Sequence, residues 1–225
     1  MQFTRSELAG KIDHTLLRPD ALPDDIVRLC GEAKYYGFAS VCVNPCYIST
    51  ASKELAGSPV AVCSVIGFPL GASAPLTKAL EAASAVRSGA AELDVVINIG
   101  FLKGGLLDLV SSDLTGVVES ARLANQATVV KIILETCLLT EKEKMTACRL
   151  AVESGADFVK TSTGWGKSGA TIADVALLKQ TVGASVGVKA SGGIRDLAAA
   201  LSMLEAGAAR IGTSSGPAII NELIK

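Results

Sequence analysis

Eight short apolar runs, rich in Val and Ile, recur along the chain and constrain its architecture more tightly than any other feature. They lie at 12–14, 40–44, 60–66, 92–98, 129–135, 158–161, 186–189 and 210–212. Polar or Gly-rich turns and stretches rich in Ala and Leu separate them, and helices are predicted at 77–88, 106–125, 141–154, 172–181 and 197–206. Continuous apolar runs, unlike alternating ones, suit parallel strands covered on both faces. Three of the helical stretches close on a similar phrase, Ser88-Gly89-Ala90, Ser154-Gly155-Ala156 and Ala206-Gly207-Ala208. Glycine just past a helix end is the usual left-handed stop before the chain turns into a strand. Strand and helix alternating eight times within 225 residues predict an α/β fold of the (β/α)8 TIM-barrel type, as a single domain over 1–225. An open doubly wound sheet of six strands would leave two runs unplaced.

Composition narrows the chemistry. With 21 Lys+Arg against 22 Asp+Glu the net charge is -1, which argues against a nucleic-acid partner, since such proteins usually carry a strong basic excess. No uninterrupted apolar run approaches the roughly 18 residues of a membrane span, so no membrane partner is expected. The opening Met1 to Leu8 lacks the apolar core of a secretory signal. Six cysteines at 30, 42, 46, 63, 137 and 148 form no Cys-x-x-Cys pair, and they read as reduced, mostly buried thiols of a cytoplasmic protein. The single His14 rules out a histidine-based zinc cluster or a two-histidine relay. No metal and no cofactor is expected, and the chemistry falls to lysines, carboxylates and hydroxyls.

The informative residues are those that interrupt the apolar runs. Lys131, Lys160 and Lys189 each follow a valine inside a run and are spaced 29 residues apart, while Asp94 interrupts Leu93-Asp94-Val95-Val96-Ile97. An unpaired buried charge is expensive, so ionisable residues in such strands normally share a polar site. In a barrel that site lies near the carboxyl ends of the strands. Pairing as scaffold, for instance of Lys131 with Glu135 or Asp94, explains one such lysine more readily than three. A lysine must be neutral to act as a nucleophile, and a second cation nearby, with desolvation, favours loss of its proton. Clustered lysines therefore point to a Schiff base with a carbonyl substrate, with an aspartate to carry protons.

Glycine-rich turns follow the last runs. Ser191-Gly192-Gly193-Ile194 follows the seventh, Gly212-Thr213-Ser214-Ser215-Gly216 the eighth, and Thr161-Ser162-Thr163-Gly164 the sixth. The amides at the start of the ensuing helices suit an anion, and many barrels bind phosphate in the loops after strands seven and eight.

These phrases, with Ile12-Asp13-His14-Thr15-Leu16-Leu17, Val41-Cys42-Val43-Asn44-Pro45 and Ile66-Gly67-Phe68-Pro69-Leu70-Gly71, closely resemble the deoxyribose-phosphate aldolase family, in matching order from about residue 10 to residue 216. The resemblance implies reversible cleavage of 2-deoxy-D-ribose 5-phosphate to glyceraldehyde 3-phosphate and acetaldehyde, so the implied partners are small phosphosugar and aldehyde substrates. It makes Lys160 the Schiff-base lysine and Asp94 with Lys189 the proton-transfer pair. It assigns phosphate or substrate contacts to Thr163, Gly164, Gly192, Gly193, Gly212, Ser214 and Ser215, with Lys131 and Cys42 in support. Departures from the family pattern are Trp165, where some members have a lysine, and Cys46, where some have an arginine after the proline. A C-terminal tyrosine that assists proton transfer in some members is missing from Asn221-Glu222-Leu223-Ile224-Lys225, which leaves proton transfer to Asp94, Lys189 and water. Trp165 packs on the rim or faces substrate; His14 is expected to be a hydrogen-bonded core residue, and Arg195 and Arg210 to be surface or packing charges. A homo-oligomer, by base rate a dimer, is expected. The rival readings are a phosphosugar isomerase or decarboxylase on the same barrel, and a barrel that only binds a phosphorylated ligand.

Overall fold

The computed structural model describes residues 3–223, so Met1, Gln2, Ile224 and Lys225, on which the readings of the two chain ends partly rest, lie outside the described residues. Eight parallel strands close into a barrel in sequence order: β1 (Ile12–Leu16), β2 (Ser40–Val43), β3 (Ala61–Ile66), β4 (Glu92–Val96), β5 (Val129–Ile133), β6 (Phe158–Lys160), β7 (Gly187–Ser191) and β8 (Arg210–Thr213). The seam joins β8 to β1, with Gly212 opposite Asp13. Each strand falls on one of the eight apolar runs, and the TIM-barrel reading holds.

Around the barrel run α1 (Arg5–Ala9), α2 (Pro23–Tyr36), α3 (Ile48–Glu54), α4 (Pro75–Arg87), α5 (Ile99–Lys103), α6 (Leu107–Ala124), α7 (Glu141–Glu153), α8 (Ile172–Val182), α9 (Leu197–Glu205) and α10 (Gly216–Glu222). The start of α4 precedes the expected 77 because Pro75 sits in its first turn, where a missing N–H costs nothing. Helix α7 begins in a reciprocal cap: Thr140 Oγ1 accepts from Glu143 N–H, and Glu143 Oε2 accepts from Thr140 N–H at 2.7 Å. The three Gly-Ala phrases end α4, α7 and α9 as expected. Gly89, Gly155 and Gly207 have φ of 110°, 81° and 110°. In each case the following alanine N–H donates back to the last turn, Ala90 to Ala85, Ala156 to Ala151 and Ala208 to Met203.

Strand side chains alternate between two interiors. Leu93, Val95, Val130, Ile132, Val159, Val188 and Ile211 join the main core between sheet and helices. The residues between them face the lumen, which is divided chemically. On the β2 and β3 side Cys42, Cys63 and Val65 form a small separate apolar cluster with Leu17 and Phe68. On the β4 to β8 side stand Glu92, Asp94, Lys131, Lys160, Lys189 and Arg210. A second buried ion pair lies outside the barrel, where Lys78 of α4 meets Asp113 of α6 at 2.5 Å.

Candidate active site

Asp94 is the hub of the lumen. Strand register sets Asp94 beside Lys131 and Lys160 beside Lys189, so four ionisable groups from consecutive strands converge. Asp94 Oδ2 accepts from Lys160 Nζ and Lys189 Nζ, both at 2.7 Å, and Oδ1 accepts from Lys131 Nζ at 2.9 Å. Burial disfavours the ionised carboxylate, but the ammoniums of Lys131, Lys160 and Lys189 outweigh it and hold Asp94 well below the usual carboxylate range.

Three further charged groups, not singled out in the sequence reading as members of this network, complete it. Lys189 also pairs with Asp13 at 2.5 Å, and Lys131 with Glu92 at 2.6 Å and Asp13 at 3.8 Å. Arg210 closes the circuit: its Nε donates to Asp13 Oδ1 at 2.7 Å, and Nη2 lies 3.2 Å from Glu92 Oε2. For Lys131 and Lys189, burial pulls towards the neutral amine, but the surrounding carboxylates outweigh it and raise both above the ordinary lysine value. Asp13 is likewise held low, as Lys189, Lys131 and Arg210 overcome its burial. The network thus joins four basic side chains to three carboxylates. Lys160 faces only Asp94 among the described residues, and of the three lysines it alone lines the cleft above.

That cleft, of about 380 Å³, opens at the carboxyl ends of the strands. Thr163, Gly164, Gly192, Gly193, Gly212 and Ser214 all line it, together with Trp165, Ser191, Arg195 and Arg18. Ser215 does not line the cleft: its N–H donates to Thr213 Oγ1 at 2.9 Å. Nor do Lys131 and Cys42, which lie deeper in the lumen. Cys42 Sγ sits 4.0 Å from Asp94 Oδ2, and its lumen neighbour Cys63 donates to Asp94 Oδ1 at 3.3 Å. Burial, reinforced by Cys42 and the Asp94 charge, pushes the Cys63 thiol well up, so it stays a neutral donor.

The loops differ from the expectation in one respect. The N-terminus of α9 is already occupied, because Asp196 accepts from Ala199 N–H at 2.8 Å and Glu222 from Leu197 N–H at 2.8 Å. An anion in the cleft would meet the Gly192-Gly193 turn, where both residues have positive φ (90° and 80°), and not the helix start. The space at Gly212 is as important as its backbone: a Cβ there would lie 2.2 Å from Ser191 Oγ and 3.0 Å from Lys189 Cε. Ser191 Oγ is buried without a hydrogen-bond partner among the described residues.

Other expected residues take plainer places. His14 is buried and its Nε2 lies 2.7 Å from Glu32 Oε2, in contact with the Phe38 ring. Arg210 is a packing charge inside the network, whereas Arg195 is exposed at the cleft and ion-pairs with nothing among the described residues. Trp165 is 55% exposed and faces the cleft. Lys131 pairs with Asp94, as one alternative held, and not with Glu135. Cys46 is exposed and the other cysteines are buried or half-buried, all of them free.

A family model described as DeoC/LacD family aldolase matches residues 9–222. A deoxyribose-phosphate aldolase of Geobacillus sp. (strain WCH70) is 57% identical over 215 residues, covering 96% of this chain and 95% of that protein. One from Carboxydothermus hydrogenoformans is 55% identical over 219 residues, covering 97% and 96%. Among solved structures, the deoxyribose phosphate aldolase of Aeropyrum pernix, described as a unique tetramer, superposes with a TM-score of 0.91 at 37% identity, covering 99% of this chain and 93% of that one.

Proposed function

The chain belongs to the DeoC/LacD family of aldolases, carbon–carbon lyases, and from that premise we propose that it cleaves 2-deoxy-D-ribose 5-phosphate reversibly to acetaldehyde and glyceraldehyde 3-phosphate through an imine on Lys160. The observation that carries this reading is the single Asp94 oxygen shared by Lys160 and Lys189 at the floor of the cleft. Four basic groups against three carboxylates reach balance when one base gives up its proton. Lys160 has the fewest carboxylate partners and opens on the cleft, which makes it the amine that meets the substrate carbonyl.

The neutral Nζ of Lys160 adds to C1 of the open-chain sugar. Lys189 gives the proton with which the carbinolamine loses water, and the resulting iminium draws electrons from the C2–C3 bond. The Lys189 amine then takes the C3 hydroxyl proton as that bond breaks, releasing glyceraldehyde 3-phosphate and leaving an enamine. Protonation at C2 and hydrolysis free acetaldehyde and restore Lys160. Asp94, bonded to both amines through one oxygen, passes protons between them and keeps them in register. The phosphate lies among Gly164, Gly192, Gly193 and Ser214, with Arg195 at the rim. The apolar lumen wall of Leu17, Val65 and Phe68 faces this charged side. No helix among the described residues is long and apolar enough to cross a membrane, and we place the enzyme in the cytoplasm, as one domain and a homo-oligomer, without a nucleic-acid partner.

Acetaldehyde and borohydride, followed by digestion and mass spectrometry, test the central step. An adduct on Lys160 is expected. Folded protein that yields no adduct, or one on another lysine, would overturn the mechanism.

A further inference from the structure

Glu135 does not belong to the charged network, yet its placement is unusual. It follows β5, has φ 57° and ψ 63°, and is the only residue other than glycine with a positive φ among the described residues. Left-handed backbone is disfavoured for a residue with a Cβ and persists only where the surroundings impose it. The residue is 4% exposed. Oε2 accepts from Thr163 N–H at 3.2 Å and from the Thr163 hydroxyl. The same hydroxyl oxygen accepts from Trp165 N–H at 3.0 Å. The Thr163 hydroxyl hydrogen is thereby committed to Glu135 and not offered to the cleft.

Backbone bonds place this clamp directly after the lysine. Leu134 N–H donates to Lys160 O and Thr136 N–H to Thr161 O, each at 2.9 Å. Between them the left-handed turn swings the side chain of Glu135 to where the ladder ends, and it takes the amide of Thr163. Gly166 fits the same clamp, since a Cβ there would lie 2.9 Å from Glu135 Oε1 and 2.8 Å from Cys137 Sγ.

We propose that Glu135 is a positioning residue that holds the Thr163–Trp165 wall of the cleft at the distance from Lys160 needed to receive the phosphate end of the substrate. The inference rests on the proposed aldolase reading. Glu135 touches neither Lys160 nor its network, so it governs where the remote end of the substrate sits and not whether an imine forms. Binding far from the reacting carbon is what a misplaced wall degrades first.

The test compares 2-deoxyribose 5-phosphate with unphosphorylated 2-deoxyribose in E135A, E135G, E135Q and T163V, with borohydride trapping of acetaldehyde on Lys160 alongside. For E135A, E135G and T163V, kcat/KM for the phosphorylated sugar should fall about 10- to 100-fold, chiefly through KM. For the Glu135 variants, the unphosphorylated sugar and Lys160 trapping should stay within about threefold of wild type on the same argument. E135Q keeps an acceptor for Thr163 and should recover most of the loss. E135G matters because it relieves the backbone: if residue 135 served the turn alone, this variant would match wild type, and the inference would fall. Equal losses on both sugars would also sink it, as would wild-type KM values throughout. Should E135A not fold, the contrast between E135Q, which keeps an acceptor, and E135G, which has none, reads the same bond. A wild type that forms no adduct overturns the aldolase reading, and this inference with it.

Discussion

Lys131, Lys160 and Lys189 share one carboxylate without being equivalent. Lys131 faces Asp94, Glu92 and Asp13, Lys189 faces Asp94 and Asp13, and Lys160 faces Asp94 alone. Breaking a buried ion pair from one side costs about 3–5 kcal/mol, because a charge is left unpaired in low dielectric. Lys131→Met strips three carboxylates of a partner and should lose about that much in denaturant unfolding, whereas Lys160→Met strips only Asp94, which keeps Lys131 and Lys189, and should lose under about 1 kcal/mol while turnover vanishes. Equal destabilisation of the two variants would contradict this ranking by partners. The lysines and Asp94 were legible in the sequence because each interrupts an apolar run. Asp13, Glu92 and Arg210 were not recognised as partners, because Glu92 and Arg210 stand at strand starts, where polar residues are ordinary, and Asp13 in a run too short to show a pattern. Glu135 was visible only as a partner for Lys131, since nothing in the sequence announces a left-handed backbone at a glutamate.

Among elements, the strands were easier to read than the helices. All eight runs became strands because their outward-facing Val, Ile and Leu supply the signal whatever fills the lumen. Helices α1, α2, α3, α5 and α10 were not among those delimited; several of them are short and are defined by packing against the barrel more than by periodicity. The pair Lys78 and Asp113 was equally hidden, since a charge within a helix reads as exposed until a neighbouring helix covers it. Gly212 was read for its backbone and Gly187 was not singled out, but both positions are steric. Gly187 accommodates the Phe158 ring, which a Cβ would approach to 2.3 Å, and Gly212 accommodates Lys189 and Ser191. The two alanine variants should therefore separate. Gly187→Ala should cost about 1–3 kcal/mol by overpacking and leave kcat near wild type. Gly212→Ala should push the Lys189 stem off its position and lower kcat about 10- to 100-fold. Denaturation and steady-state kinetics on both variants check this, and the reverse ranking would refute it.

For the whole molecule, the buried network sets a dependence on pH. Asp13 and Asp94 are depressed below the unfolded carboxylate value of about 3.9, so their contribution is complete above about pH 5 and is lost as pH falls towards their folded values. Lys131 and Lys189 are raised above about 10.4, so their contribution is present below that pH and fades only as pH rises through their higher folded values. Calorimetry should find a Tm nearly level from about pH 6 to 9 and falling steeply below about pH 4. A Tm that held or rose down to about pH 3 would show that the carboxylates are not ionised as the network requires. The closed seam also has a consequence for a chain that emerges from the ribosome N-terminus first. With β5 made, the lumen set holds Asp13, Glu92 and Asp94 against Lys131 alone, an acidic excess that no folded intermediate can bury cheaply. Lys160 reduces the excess and Lys189 cancels it, and only Arg210, on the strand that joins β1, adds the surplus base that the proposed mechanism relies on. On the proposed reading, an incomplete nascent chain is therefore not yet reactive towards cellular aldehydes, because the step that closes the barrel is also the step that arms the nucleophile.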